Sequence, residues 1–415
     1  MERPTNKFKI INDPVYGFIK IRFEIIYHLI EHPYFQRLRR IRQLGMTHFV
    51  YPGANHTRFQ HALGAMHLMA EAIASIRSKG HEVTEVEEEA VTIAILLHDI
   101  GHGPFSHTLE KTLISGIRHE DISLVMMEIM NEEFNGKLSL AISIFRDEYK
   151  KRFLHQLVSG QLDVDRMDYL RRDSFFTGVT EGSIGTDRII KMLEVHDDLL
   201  VVEEKGIYSI EKFLVARRLM YWQVYLHKGV IAADQLLIMM LRRAKDLAAQ
   251  GEKLFATPAL DYFLYQRGGK MSESNRTEFM EHFSGLDDND IISAAKVWSR
   301  YEDPVLRFLC SGFVNRKLFR IEIGREPFSQ ERLLQEVERA AIACNIQHKM
   351  AEYLVVSDSI SNHAYSNIDD DIKILSRDRK VKEITEVSEI LNVSVLSRQL
   401  SKFFLCYPKK NEDPQ

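Results

Sequence analysis

Leu96-Leu97-His98-Asp99-Ile100-Gly101-His102-Gly103-Pro104-Phe105-Ser106-His107 is the stretch on which the reading of this chain turns. An apolar run from Ile93 to Leu97 leads into adjacent His98 and Asp99, then into a glycine-rich loop with two more histidines. The run reads as a core helix ending near Gly101. Consecutive helical residues stand about 100° apart, so His98 and Asp99 can flank a single ion. An ionised carboxylate in apolar surroundings is costly unless it is paired or bound to a metal. Imidazole with carboxylate suits Fe, Mn, Zn and related divalent ions. The stretch is also the centre of a composition anomaly, because nine of the chain's 17 histidines fall between His48 and His119.

Further ligands must come from elsewhere, and the candidates are His61, in Asn55-His56-Thr57-Arg58-Phe59-Gln60-His61, and Asp165, in Asp163-Val164-Asp165-Arg166-Met167-Asp168-Tyr169. Asp165, Tyr169 and Asp173 recur every four residues, on one helical face. Spacing alone leaves two readings open, a metal centre or a set of structural core residues.

The surrounding pattern is mainly α. Apolar positions three and four apart predict helices in Phe35 to Leu44, Ala62 to Ile76 and Glu87 to Leu97. Lys9 to Ile11 and Gly17 to Ile21 alternate around Asn12-Asp13-Pro14 and predict a short β-hairpin. A second is expected from Leu199 to Glu203 and Ile207 to Ile210, followed by a long helical stretch from about Glu211 to Ala249. Beyond Gln250, Thr257-Pro258, Gly268-Gly269 and the polar run Ser272 to Arg276 punctuate the chain. We therefore divide it into 1-250 and a smaller α+β region, 251-415. In that region we expect a helix after Asp290, a strand at Leu318 to Ile323, a helix from Ser329 to Cys344, strands near Tyr353 and Ile372, and a frayed charged tail from Lys409.

The 415 residues carry 55 basic and 59 acidic side chains, a formal charge of −4, which argues against bulk electrostatic binding to nucleic acid while leaving room for a local basic site. Three cysteines, Cys310, Cys344 and Cys406, make neither a disulfide framework nor a CxxC metal site and favour a reducing compartment. The longest apolar runs fall far below the ~20 residues of a membrane span. We expect a cytoplasmic protein with no membrane partner.

The set His61, His98-Asp99, Asp165 resembles the signature of the HD-domain metal-dependent phosphohydrolases. Phe35-Gln36-Arg37-Leu38-Arg39, Gln43-Leu44-Gly45, Pro52-Gly53-Ala54, His119-Glu120 and Asp163-Val164-Asp165 are similar to the branch containing the deoxynucleoside triphosphate triphosphohydrolases, among them the vertebrate sterile-alpha-motif and HD-domain enzyme. The resemblance covers about residues 8 to 240. It implies an HD-domain helical core and a divalent metal ion (Fe, Mn, Zn, Ni or Mg) on His61, His98, Asp99 and Asp165. It also implies hydrolysis of a dNTP at the α-phosphate to deoxynucleoside and inorganic triphosphate. His102, His107 and His119 match family acid-base groups, with Glu120 beside them and Glu110 standing where the family commonly has Asp. Arg58, Arg166 and Arg217 match triphosphate contacts, Arg166 replacing a lysine. Gln43, Leu44, Tyr169 and Asp173 match the sugar pocket and Tyr225 another pocket residue. A ring under C2′ leaves no room for a 2′-hydroxyl. On spacing alone the two tyrosines read as core aromatics, and only the shared motif reverses that.

Gln36-Arg37-Leu38-Arg39-Arg40-Ile41-Arg42 holds four arginines in seven residues. Read by itself it is a solvated helix face. In activated relatives of this branch the corresponding helix and Asn-Asp-Pro segment form an allosteric nucleotide site at a subunit interface. The matching positions are Lys9, Asn12, Gln36, Arg39, Val50, Tyr51, His227 and Lys228, with Glu31 where an Asp recognises guanine. The resemblance thus implies a nucleotide activator and a homo-oligomer, dimer or tetramer. Two other readings stay open. One is an HD-type enzyme acting on an alarmone, a cyclic dinucleotide or a nucleoside monophosphate. The other is a nucleic-acid-binding protein with a vestigial site, using the arginine cluster as its surface; nucleic-acid binding is also compatible with catalysis.

Overall fold

The computed structural model describes residues 9–105, 107–110, 112–114, 116–267, 271–362, 371–388 and 400–409, without the side chains of residues 107, 110, 361, 362 and 400. Its helices include α1 (Glu24–Glu31), α2 (Arg58–Ser78), α3 (Glu85–Leu97), α4 (His119–Glu133), α5 (Val164–Thr177), α6 (Ile207–Met220), α7 (Lys228–Ala249), α8 (Asp288–Trp298), α9 (Pro304–Val314) and α10 (Gln330–Cys344). The fold is mainly α, as the periodicity predicts. Helix α2 is the central element, packed between α3 and α5. Each of these three starts on a local signal. Thr57 with Gln60 and Thr84 with Glu87 form capping boxes before α2 and α3, and the Asp163 side chain accepts from the Arg166 amide at 2.7 Å ahead of α5. Gly178, at φ 74°, ends α5 in the left-handed conformation that glycine adopts without strain.

The strands are few. β1 (Lys9–Asp13) and β2 (Gly17–Ile21) form the expected hairpin, with Asp13 opposite Gly17. β3 (Leu193–His196) pairs antiparallel with β4 (Leu199–Glu203) across Asp197-Asp198, both at positive φ. The expectation that Ile207 to Ile210 is the partner of β4 is therefore wrong. That segment opens α6, burying Ile210, Phe213 and Leu214 at helical spacing. Phe35 to Leu44 also departs from one regular helix. A turn at Pro33–Gln36 passes into a 3₁₀ turn at Arg37–Arg40, and Phe35, Leu38 and Ile41 are fully buried at steps of three, the 3₁₀ period. The predicted stretch from Glu211 to Ala249 is interrupted by a π-helical turn at Tyr221–Tyr225 and bends by 55° before α7. Among the described residues no single helix is long and apolar enough to cross a membrane.

Past residue 250, β5 (Arg320–Gly324), β6 (Val356–Asn362) and β9 (Leu400–Tyr407) make a sheet in the order β5-β9-β6. β7 (Lys373–Leu375) and β8 (Val381–Glu383) extend the β3-β4 sheet instead, β7 lying parallel to β4. The core runs without interruption from Ile19 through Phe213 to Trp298 and Phe404. Charged contacts also cross the 250 position. Arg40 pairs with Asp287, and Asp288 accepts from the backbone amides of Arg42 at 3.0 Å and Phe105 at 3.2 Å. The arginine run is thus no free solvated face. Arg37 is buried, Arg39 lies over Phe59, and Arg40 and Arg42 are paired with acids. Gly268-Gly269 and the tail after Lys409 lie outside the described residues.

Candidate active site

Helices α2, α3 and α5 bring His61, His98, Asp99 and Asp165 to one point. His61 Nε2 lies 3.0 Å from Asp165 Oδ1 and 3.8 Å from Asp99 Oδ2, and His98 Nε2 lies 3.5 Å from an oxygen of each carboxylate. The other ring nitrogens are already committed. His61 Nδ1 donates to Asp168 Oδ2 at 2.8 Å and His98 Nδ1 to the Ile95 carbonyl at 2.6 Å. A carbonyl and an ionised carboxylate only accept, so in the neutral rings both protons sit on Nδ1 and both Nε2 lone pairs face carboxylates. Neither Nε2 has a hydrogen-bond partner among the described residues. Nitrogens placed this way need a cation between them and the carboxylates, a metal ion or, without one, a second proton on the ring.

Charge bookkeeping agrees. Carboxylates are in excess at this point: Asp99 pairs with Arg58, Asp13 and Asp168 share Arg172, and Asp165 faces the two histidines, a set of anionic donors that suits a divalent ion. The donor set, two imidazoles and two carboxylates with the imidazoles oriented by outer acceptors, fits such an ion. The same field shows in the side chains' proton affinities. Burial disfavours charge on His61, yet Asp165 and Asp168 outweigh it and push the imidazole up to about 10. His98 is raised against the same burial by Asp99 and Asp165. Although burial works the other way, neighbouring His98 and His102 with Arg58 hold Asp99 well below the carboxylate range, and His61 and His98 do the same for Asp165.

Around this cradle, His102 Nε2 lies 3.2 Å from Asp99 Oδ1, and its ring stacks on His119 with centroids 3.7 Å apart. Burial, then Arg58, hold His102 well below its ordinary value, so it is a neutral imidazole whose Nε2–H faces Asp99. Glycine makes the approach possible. A Cβ at Gly101 would lie 2.2 Å from the His119 carbonyl oxygen and 2.3 Å from the Ser123 amide, so only glycine lets α4 carry His119 against the loop. Ser123 Oγ accepts from Gly101 N and donates to the His98 carbonyl, both at 2.9 Å, and Arg37 clamps the Ile100 and His102 carbonyls at 2.7 Å each. Glu120 is exposed, its Oε1 3.5 Å from His119. His107 and Glu110 form a helical turn whose side chains lie outside the described structure.

Tyr169 and Asp173 follow Asp165 by one and two turns of α5, about 6 and 12 Å along the axis. Tyr225, in the π-helical turn, donates to Asp173 Oδ2 at 2.7 Å, and its ring stands edge-on to Tyr169 at 6.2 Å. The other Asp173 oxygen is 2.7 Å from His56 Nε2. The Gln43 backbone amide donates to the His56 carbonyl at 3.0 Å, and its side-chain oxygen is buried without a partner among the described residues, while Leu44 packs against the core. Each candidate phosphate arginine has an internal partner: Arg58 with Asp99, Arg166 with Asp163, and Arg217 with Gln161 at 3.1 Å. Arg166 and Arg217 each keep a buried Nε with no partner among the described residues.

The positions assigned to a second nucleotide fall into two groups. Lys9, Asn12, Glu31 and Arg39 line one cleft of about 610 Å³ beside the hairpin, and Gln36 braces Arg39 at 2.8 Å. Val50, Tyr51, His227 and Lys228 gather at the break before α7, with the Tyr51 and His227 rings 5.9 Å apart and Val50 against Gly229. Sequence reasoning missed Asp168, Arg172, Asp13, Arg37 and Asp288. Asp168 and Arg172, three and seven residues after Asp165, had a legible signal in their helical spacing; Arg37 and Asp288, remote from the site in sequence, had none.

An HD domain matches residues 58–173 and an HD associated region residues 184–260. A phosphohydrolase of solved structure from Bacteroides thetaiotaomicron is 55% identical and superimposes with a TM-score of 0.93, covering 97% of this chain and 100% of that one. This chain belongs to the HD-domain phosphohydrolases. YwfO, an uncharacterised protein of Bacillus subtilis, is 31% identical to this phosphohydrolase over 99% of the chain and 95% of its own length. Deoxynucleoside triphosphate triphosphohydrolase SAMHD1 of Homo sapiens is 30% identical over 62% of the chain, which spans about half (48%) of that relative.

Proposed function

We propose that this phosphohydrolase cleaves deoxynucleoside triphosphates at the α-phosphate, releasing a deoxynucleoside and inorganic triphosphate. The observation that carries the reading is the single face of α5, where Asp165 at the metal cradle is followed at four-residue steps by Tyr169 and Asp173. A phosphate at the cradle places a sugar over the tyrosine. The kinship with enzymes named for this activity supports it. A bound divalent ion supplies Lewis-acid stabilisation of the phosphate charge.

The protein's own groups do the rest. Asp173, fixed by His56 and Tyr225, presents its carboxylate to a 3′-hydroxyl, and the Tyr169 ring excludes a 2′-hydroxyl. Water attacks the α-phosphorus, the bond to the 5′-oxygen breaks, and the proton given up by the attacking water reaches that oxygen on the side where His102 and His119 stack. Arg166 and Arg217 meet the triphosphate with forked donors. The test is a panel of four dNTPs and four NTPs with Mn²⁺ or Mg²⁺, reading triphosphate against orthophosphate, repeated with His98→Ala and Asp165→Ala. Triphosphate from dNTPs, lost in both variants, is expected. Orthophosphate as the product, or unchanged turnover in either variant, would overturn it.

Activation by a second nucleotide in a homo-oligomer belongs to the same reading, with the cleft at Lys9, Asn12, Glu31 and Arg39 as its candidate site. An unchanged rate and mass on adding every other nucleotide to a single dNTP would refute that part.

A further inference from the structure

The carboxylate that sets the His61 tautomer is itself held from the far end of the chain. Asp168 accepts from His61 Nδ1 at 2.8 Å and from Arg172 Nε and Nη2 at 2.9 and 3.0 Å. The same guanidinium turns its other edge to Asp13, with Nη1 2.8 Å from Oδ2 and Nη2 3.4 Å from Oδ1. Asp13 Oδ1 also accepts from the backbone amides of Val15 and Tyr16 at 2.9 and 3.0 Å, which shapes the turn between β1 and β2. One carboxylate thus folds the hairpin and clamps Arg172. The chain Asp13, Arg172, Asp168, His61 is buried throughout, with only 4% of the Asp13 side chain exposed.

We propose that the hairpin turn is the outer anchor of the metal centre, Asp13 and Arg172 being positioning residues that act on His61 through Asp168. Arg172 presents Nε and Nη2 to Asp168 and its Nη1 edge to Asp13, so Asp168 Oδ2 accepts from Arg172 and from His61 at once. Without the Asp13 charge, Nη1 of the buried guanidinium loses its acceptor, Arg172 shifts, and the Asp168 carboxylate that it holds moves with it away from His61 Nδ1–H. The imidazole then loses the acceptor that keeps Nε2 bare and pointed at the cradle. Gly64 closes off accommodation from the opposite side, since a Cβ there would lie 2.0 Å from Asp168 Oδ1. Coupling of this kind is reciprocal, so metal affinity and hairpin order must each raise the other.

The inference rests on the metal-centre reading above, and its test reads metal rather than turnover. Mn²⁺ binding is titrated by electron paramagnetic resonance in the full chain and in Asp13→Asn and Arg172→Lys, with circular dichroism as the check on folding. Binding weakened tenfold or more in folded variants is expected, within the roughly 10–100-fold range of outer-shell substitutions; affinity within twofold of the starting protein overturns the relay alone. Failure of the unsubstituted chain to take up Mn²⁺ overturns the metal centre and the relay together. Should the variants not fold, hydrogen exchange in the unsubstituted protein decides. Mn²⁺ must slow exchange at Val15 and Tyr16 by a larger factor than in β3 and β4, and equal slowing refutes the coupling.

Discussion

Gly64→Ala sets two well-known effects against each other inside one helix. Alanine is favoured over glycine in a helix interior by about 1 kcal/mol, and Gly64 lies within α2. Against this, the new methyl carbon would meet Asp168 Oδ1 at 2.0 Å and Arg172 Nη2 at 2.1 Å. Side-chain ends usually swing away from such a contact, but these are held at both ends by His61 and Asp13 and are fully buried. Overpacking costs about 1–3 kcal/mol, and opening a buried ion pair about 3–5 kcal/mol. With part of the strain absorbed by a shift of α2 against α5, the variant should be destabilised by about 2–4 kcal/mol in spite of its better helix propensity. The assay is urea unfolding in EDTA and again in excess Mn²⁺. The loss should be larger with Mn²⁺, because the displaced Asp168 also weakens the metal site. A variant as stable as the parent in EDTA, or more stable, would refute the packing argument.

Tyr169→Ala should let ribonucleotides in, so that the preference for dNTP over NTP in kcat/KM falls about tenfold or more, while Tyr169→Phe keeps it; an unchanged ratio in the alanine variant would show that this ring is not the sugar gate. Asp288, whose carboxylate accepts from the Arg42 and Phe105 amides, is pushed by burial up to about 6, against about 3.9 in an unfolded chain. Between pH ~4 and ~6 the folded protein binds a proton there that the unfolded chain has lost, so this group's contribution to stability falls by roughly 3 kcal/mol as pH rises through the window and is level above it. Asp288→Asn should remove that slope from urea midpoints taken at pH 4.5 and 6.5, and an equal slope in both proteins would contradict the assignment.

Much was legible before any fold was known, because local chemistry writes itself into short spacings. Thr84 with Glu87 marks the start of α3, and the alternation around Asn12-Asp13-Pro14 marks the first hairpin. The errors have a common origin. Ile207 to Ile210 begins and ends on β-branched isoleucine and follows a turn signal, yet it is helical because β4 already has a partner upstream in β3 and because Phe213 and Leu214 offer a buried face only to a helix. Phe35, Leu38 and Ile41 satisfy a helical and a 3₁₀ period alike, and packing chose between them.

The sequence by itself determined the mainly helical fold, through its apolar periodicity, and its resemblance to a known family singled out His61, His98, Asp99 and Asp165, of which only His98 and Asp99 are neighbours in the chain. Only the tertiary structure decided what those residues face. Asp13 and Asp168 are 155 positions apart, yet share one guanidinium. Asp288 stitches Arg42 to Phe105 from beyond the expected boundary at 250, and three arginines suited to a polyphosphate already hold internal partners. Burial is the physical reason: a charge's role depends on which opposite charge shares its low-dielectric neighbourhood, and that pairing is set by the packing of distant segments.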